Sequence, residues 1–291
     1  MRKLLIIAIS VTSFSINSQN YQERITIEES FDIKDQENKS LIIKNIYGNI
    51  NIEGYSGPKV ILKVEKIISA DDKQSIKQGN EEVSMFYSNE NNKLIIHPKS
   101  PYFYYDSNFK IHFKDDTPKK KYNFRVNLTL KIPRKMNVDV RNISKGQITI
   151  KNIDAQLISA TNISGDLFLK NISGQTNAKT INGKIEISYT SNPQKKSSYQ
   201  SINGDINIIY QKDLNANILF ENKMGNAEFF CDFDVVSQKS ITTKTKIEGD
   251  SDTPYYLYTT NPVIQVGKGD VEYSFKTTNG DIYIKDVTKT K

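Results

Sequence analysis

The sequence predicts an all-β protein, a solenoid or β-helix-like stack of short strands with about 20 residues per coil and one short helix near 70–82. Three observations carry this reading. A short turn phrase recurs along the chain, each copy is followed by two alternating aliphatic residues, and the copies are nearly evenly spaced. An antiparallel β-sandwich is the alternative, because Asn-Gly is also a strong hairpin signal.

The phrase occurs as Asn45-Ile46-Tyr47-Gly48-Asn49-Ile50-Asn51-Ile52 and as Asn162-Ile163-Ser164-Gly165-Asp166-Leu167-Phe168-Leu169. Shorter copies run from Ile181-Asn182-Gly183, Ile202-Asn203-Gly204 and Thr278-Asn279-Gly280, with a degenerate one at Met224-Gly225. Glycine supplies the backbone freedom a tight corner needs. The following x-Ile-x-Ile points both aliphatic side chains to one face of a strand and leaves Asn, Thr, Glu, Phe or Tyr between them on the other. Glycines at 146, 165, 183, 204 and 225 are separated by 19, 18, 21 and 21 residues. A half-step at Asn171-Ile172-Ser173-Gly174 gives each period two corners and two strands. Equal periods imply that Ile185 stacks between Leu167 and Ile206, so that each coil shelters its neighbour's apolar face.

The chain begins with Met1-Arg2-Lys3 and the apolar run Leu4 to Val11, too short to span a bilayer as a helix. This predicts a signal peptide over 1–18, removed before Gln19, and a single β-strand-repeat domain over 19–291. Within that domain, 19–133 is an N-terminal part with a helical and aromatic insert, and 134–291 holds the repeat coils. No cysteine follows the apolar run, so a lipoprotein anchor is not expected. No later segment has the length of apolar sequence that a transmembrane helix needs. The expected location is outside the cytoplasm: periplasm, cell surface or secreted.

Basic residues number 40 against 33 acidic, and 38 against 33 without Arg2 and Lys3, a mild excess of +5. That bias gives no signal for nucleic acid. It is compatible with glycan, cell wall or another envelope protein as partner. Residues 236–262 read as an irregular insertion. In 101–121 the aromatics Tyr102, Phe103, Tyr104 and Tyr105 stand beside mixed charge, and they are the candidate ligand contacts. The competing reading buries this stretch, with Phe109, Ile111 and Phe113 alternating inward as a strand.

The order of a β-rich start, a charged insert, Leu130-Lys131-Ile132-Pro133, Asn137-Val138-Asp139-Val140 and then serial turn phrases resembles the bacterial putative-adhesin family with β-strand repeats (domain of unknown function 4097). The resemblance covers most of 40–287. It implies a solenoid-like β fold, frequent export and no shared catalytic residues to carry over.

Candidate chemistry is sparse. Cys231 is the one cysteine, and His97 and His112 are the two histidines. With these, a zinc site of usual composition is hard to assemble. Asp166, Asp205, Asp270 and Asp281 each follow a turn glycine and form a conceivable calcium row, but the nonapeptide that would mark one is missing, so turn polarity is the stronger explanation. The sequence therefore predicts no catalytic residues, no metal and no cofactor. The expected role is a non-enzymatic envelope protein, an adhesin or scaffold presenting a repetitive β surface. A β-helical polysaccharide-degrading enzyme is the alternative.

Overall fold

A computed structural model describes residues 21–33, 38–106, 110–114, 120–144, 146–222, 228–247 and 255–290. The expected signal segment, Phe109 and the Met224-Gly225 copy lie outside the described residues. Those described form 22 strands and one helix. Twenty strands join one large mixed sheet, nearly closed into a barrel. The long strand Leu167–Asn182 belongs to both of its faces, turning the corner at Asn171 and Gly174, which have φ of 54° and 97°.

The x-Ile-x-Ile pattern forms the first face. Its parallel registers run Leu128, Ile50, Ile148, Leu167, Ile185, Ile206, Ile282 and Phe229. Ile185 is thus paired with Leu167 on one side and Ile206 on the other. The aliphatic residues from Leu128 to Ile282 are all buried. The second face stacks Ile96, Ile43, Val140, Ala160, Ala178, Tyr199, Phe275 and Phe220, opposite the first across the core. In Thr176 to Thr180 the alternation buries Thr176, Ala178 and Thr180, small residues that let the two faces approach.

The corners hold the paired strands at their spacing. A Cβ on Gly165 would lie 2.0 Å from the carbonyl oxygen of Gly146, and one on Gly183 would lie 2.3 Å from that of Gly165. Beneath these glycines runs a buried polar row: Asn45, Asn142, Asn162, Thr180, Ser201 and Thr277. Asn142 donates to the Gly48 carbonyl (3.1 Å), Asn162 to Gly146 (2.8 Å), Thr180 to Gly165 (3.1 Å) and Ser201 to Gly183 (3.2 Å). Each of these side chains clamps the glycine corner of the neighbouring strand.

Stacking in chain order holds only from Ile148 to Ile206. At the C-terminal end, Val271–Thr277 and Ile282–Asp286 insert between the 197–210 coil and the earlier strands Ala216–Asn222 and Phe229–Cys231. The physical reason is fit. Gly280 repeats the close approach, its Cβ position 2.5 Å from the Gly204 oxygen. Tyr273 stacks on Tyr210 at 5.4 Å, and Phe275 lies between Tyr199 and Phe220 at 4.8 and 5.9 Å. At the other end, Ser40–Tyr47 and Ile50–Tyr55 lie inside the later strands Lys93–Lys99 and Tyr122–Pro133.

The ends of the sheet are antiparallel. Tyr21–Asp32 pairs with Lys59–Ala70, and the helix Lys73–Glu82, capped by Asp72, packs on that end. The helix begins within the expected span. The expected irregular insertion at 236–262 is instead mostly a regular hairpin of Val235–Ile247 with Tyr255–Val266, whose strand-forming Thr, Val and Ile outweigh its charges.

Two predictions follow from the core. Gly183→Ala forces backbone against backbone and destabilises by about 2 kcal/mol or more. Asn162→Leu costs roughly 1–3 kcal/mol by removing a buried donor, whereas Asn162→Thr costs less, since Thr180 makes the same bond one coil on; denaturant unfolding measures all three. Burial also pushes the phenols of Tyr189, Tyr199, Tyr210 and Tyr273 above their usual value of 10.0. Their contribution to stability is complete below that pH and is lost as pH rises toward the folded values. Burial raises Tyr87, Tyr105 and Tyr122 in the same way, so ultraviolet titration should show these seven tyrosines ionising only with alkaline unfolding.

Candidate functional site

The structure divides the four sequence-predicted contacts. They lie on or beside a two-stranded ribbon, Phe103–Tyr105 with Ile111–Phe113. Phe103 is buried and stacked on Phe124. Tyr102 is half-buried, edge-on to Tyr122, and Tyr105 is half-buried against His97 at 4.5 Å. Tyr104 is 50% exposed and stacks on His112 at 5.1 Å. Phe113, expected to point inward, is 56% exposed, so alternation fails on this short ribbon. His97 is sandwiched by Phe86 and Tyr105, and burial lowers its pKa, keeping it neutral. Burial also raises the Cys231 thiol, disfavouring the reactive thiolate.

A larger feature lies on the outside of the first face, at the positions between paired aliphatics. These residues form one row along the stack: Thr149, Phe168, Glu186, Asn207, Tyr283 and Phe230. Phe230 and Tyr283 are nearly parallel, with centroids 4.9 Å apart. Lys170 and Lys184 lie over the Phe168 ring at 5.9 and 5.3 Å, and Lys285 over Tyr283 at 5.6 Å. Phe168 and Tyr283 are three strand spacings apart, about 14 Å, with Glu186 and Asn207 between them. The row's signal was present in the sequence as Phe168 and Tyr283 within the repeat phrase. Their shared row required the stacking order, because Tyr283 belongs to the inserted last coil.

Charge on this strip is mixed, with acids in excess. From the 148–151 rung to the Phe230 rung, Lys151, Lys170, Lys184 and Lys285 stand against Asp166, Glu186, Asp205, Asp281, Glu228 and Asp232. Lys184 pairs with Glu186 at 2.6 Å. Three of the four turn aspartates considered above as a calcium row are engaged with backbone. Asp166 accepts from Lys184 N (3.0 Å), Asp205 from Asp281 N (2.9 Å) and Asp281 from Glu228 N (3.0 Å). Among the described residues no group of three His, Cys, Asp or Glu side chains is arranged to hold a metal ion.

A cleft of about 660 Å³ opens at the N-terminal end of the sheet, lined by Asp71, Asp72, Lys120, Lys121 and Tyr122 among others. No helix among the described residues is long and apolar enough to cross a membrane.

No family model matches the chain, and no curated protein matches it in sequence. Solved structures give distant likenesses. One is described as a "putative cell adhesion protein" from Clostridium sporogenes ATCC 15579, at 12% identity and TM-score 0.38, covering 89% of this chain and 98% of that one. Another is a "Putative lipid binding protein" from Parabacteroides distasonis ATCC 8503, at 10% identity and TM-score 0.28, covering 89% and 97%. The family resemblance therefore stands on the turn-phrase pattern.

Replacing Phe103 by Ala should cost about 3 kcal/mol or more through the buried volume lost. Tyr104→Ala should stay within about 0.5 kcal/mol of the parent. Comparing denaturation midpoints of the two variants checks this division.

Proposed function

We propose that the chain is an exported, non-enzymatic cell-envelope protein, an adhesin-like binding scaffold whose stacked coils are a β-solenoid presenting a repetitive surface. The observation that carries this reading is the in-register first face from Ile50 to Ile282, which sets outward side chains in a straight row on a backbone paired on both sides. Such a surface is ordered before it meets a partner, so little conformational entropy is lost on contact.

Export is supported by the basic start, the short apolar run and the small polar residues up to Ser18, and the location follows as periplasm, cell surface or exterior. The non-enzymatic reading is supported by how the outward ionisable groups are used. Asp166, Asp205 and Asp281 hold backbone N–H groups, Glu186 holds Lys184, and the half-buried His97 is kept neutral by burial. General acid–base chemistry needs such groups convergent and uncommitted. The resemblance to the adhesin family agrees with this reading, as do glycan, wall or another envelope protein as partner class.

The test is fractionation of cells expressing the full chain and a form lacking 1–18. The full chain should leave the cytoplasm with Gln19 as its new N-terminus, and the shortened form should stay behind. Purified protein should release no unsaturated sugars from acidic polysaccharides and keep its unfolding midpoint in chelator. Retention of the full chain in the cytoplasm, or metal-dependent turnover, overturns the proposal.

A further inference from the structure

We infer that the Lys66 amine attacks the Asn80 side-chain amide and joins the two residues through an isopeptide bond, with Glu23 relaying the proton and ammonia leaving. This modification site lies at the N-terminal end of the sheet, apart from the outer strip, and does not rest on the binding-scaffold reading.

The first observation is where Lys66 stands. In the strand Lys59–Ala70 the inward row reads Val60, Leu62, Val64, Lys66, Ile68 and Ala70, and all six are buried. A lysine in an aliphatic row is costly while it is charged. Burial pushes its amine below the usual 10.5, against the opposing field of Glu23. A desolvated, neutral amine is a nucleophile. Lys66 Nζ donates to the backbone oxygens of Asn80 and Val83, both at 2.9 Å. A neutral amine has two N–H bonds, so these carbonyls hold both and leave its lone pair free to attack.

The second is the target. The helix Lys73–Glu82 packs on this end of the sheet and brings Asn80 to Lys66. The Asn80 amide is held by its nitrogen, with Nδ2 donating to Glu23 Oε2 at 2.7 Å. Its oxygen, Oδ1, is buried and has no partner. A buried amide oxygen without a donor costs stability, so hydrogen bonding alone does not account for an asparagine here.

The third is Glu23. It lies on Tyr21–Asp32, opposite Ile68 and so diagonal to Lys66 across the antiparallel pair. Its carboxylate touches the nitrogen that must leave, and its field reaches the amine that attacks. The atoms balance. Nζ bonds to Asn80 Cγ, the Cγ–Nδ2 bond breaks, and Glu23 takes a proton from Nζ and passes it to Nδ2, which departs as ammonia. A surface cleft of about 450 Å³, lined by Glu23, Ile76 and Asn80 among others, gives ammonia its exit. The bond forms once per chain and involves no turnover. It ties strand to helix in a protein whose single cysteine allows no internal disulfide.

The experiment is tandem mass spectrometry of a tryptic digest of the purified protein. The expected result is peptide 64–73 joined to peptide 78–93 through Lys66 and Asn80, one ammonia lighter than their sum, with cleavage after Lys66 blocked. Whole-chain mass is not the readout, because an amino-terminal Gln19 also loses ammonia on cyclising. The joined species disappears in Glu23→Gln and in Lys66→Arg, and Glu23→Gln keeps the parent circular dichroism. A parent digest in which 64–66, 67–73 and 78–93 run as separate peptides overturns the inference and leaves Lys66 as a charged clamp on the last carbonyls of the helix. Joined peptides that persist in Glu23→Gln overturn the relay. A bond from Lys66 to any residue other than Asn80 overturns the target.

Discussion

The close approach of one glycine corner to the next is the contact on which the rest of this protein depends. From Gly146 through Gly165, Gly183 and Gly204 to Gly280, each Cα stands where a side chain would strike the preceding corner's carbonyl, and Gly48 stands in the same way against the Val126 carbonyl of the neighbouring strand. The same carbonyls accept from Asn142, Asn162, Thr180 and Ser201 beneath them. Sterics thus admit only glycine on the outside of the corner. Desolvation demands a donor on the inside, because an unpaired buried carbonyl costs more than a single hydrogen bond gains.

With the corners fixed, strand register follows. Two aliphatic side chains per coil fall on the same inward rows, and Ile, Leu and Val interlock with their counterparts one spacing away. The two ends need other solutions, because a strand edge left bare is a template for association. Antiparallel strands supply them: Tyr21–Asp32 and Ser84–Glu90 at one end, and the Val235–Val266 hairpin at the other. The last two strands do a different job. They insert between earlier strands, contributing Tyr273 and Phe275 to an aromatic core of Tyr189, Tyr199, Tyr210 and Phe220. That insertion also brings Tyr283 into line with Phe168, so the outer strip depends on the order in which coils stack.

Much of the first face was legible in the sequence because its signal is local. Gly-x-Ile-x-Ile encodes a corner and an alternating strand within six residues, and Leu167, Ile185 and Ile206 pair as the spacing requires. The hairpin at 236–262 was hidden because its lysines and aspartates resemble loop composition, while cross-strand pairing of Thr, Val and Ile is a non-local property. The aromatic run at 102–105 was visible as composition only. Which ring is covered depends on Phe124, Tyr122 and His97, which reach it from other strands.

By itself the sequence determined the strand-forming alternation, the glycine corners and the inward aliphatic rows, since each rests on the conformational limits of residues a few positions apart. Tertiary structure alone decided that the final coil lies beside 197–210, with earlier strands outside it, and that Phe168, Tyr283 and Phe230 share one outward row. Those choices turn on packing between distant segments: a second glycine corner that fits against Gly204, and rings that fill the space beside Tyr199 and Tyr210.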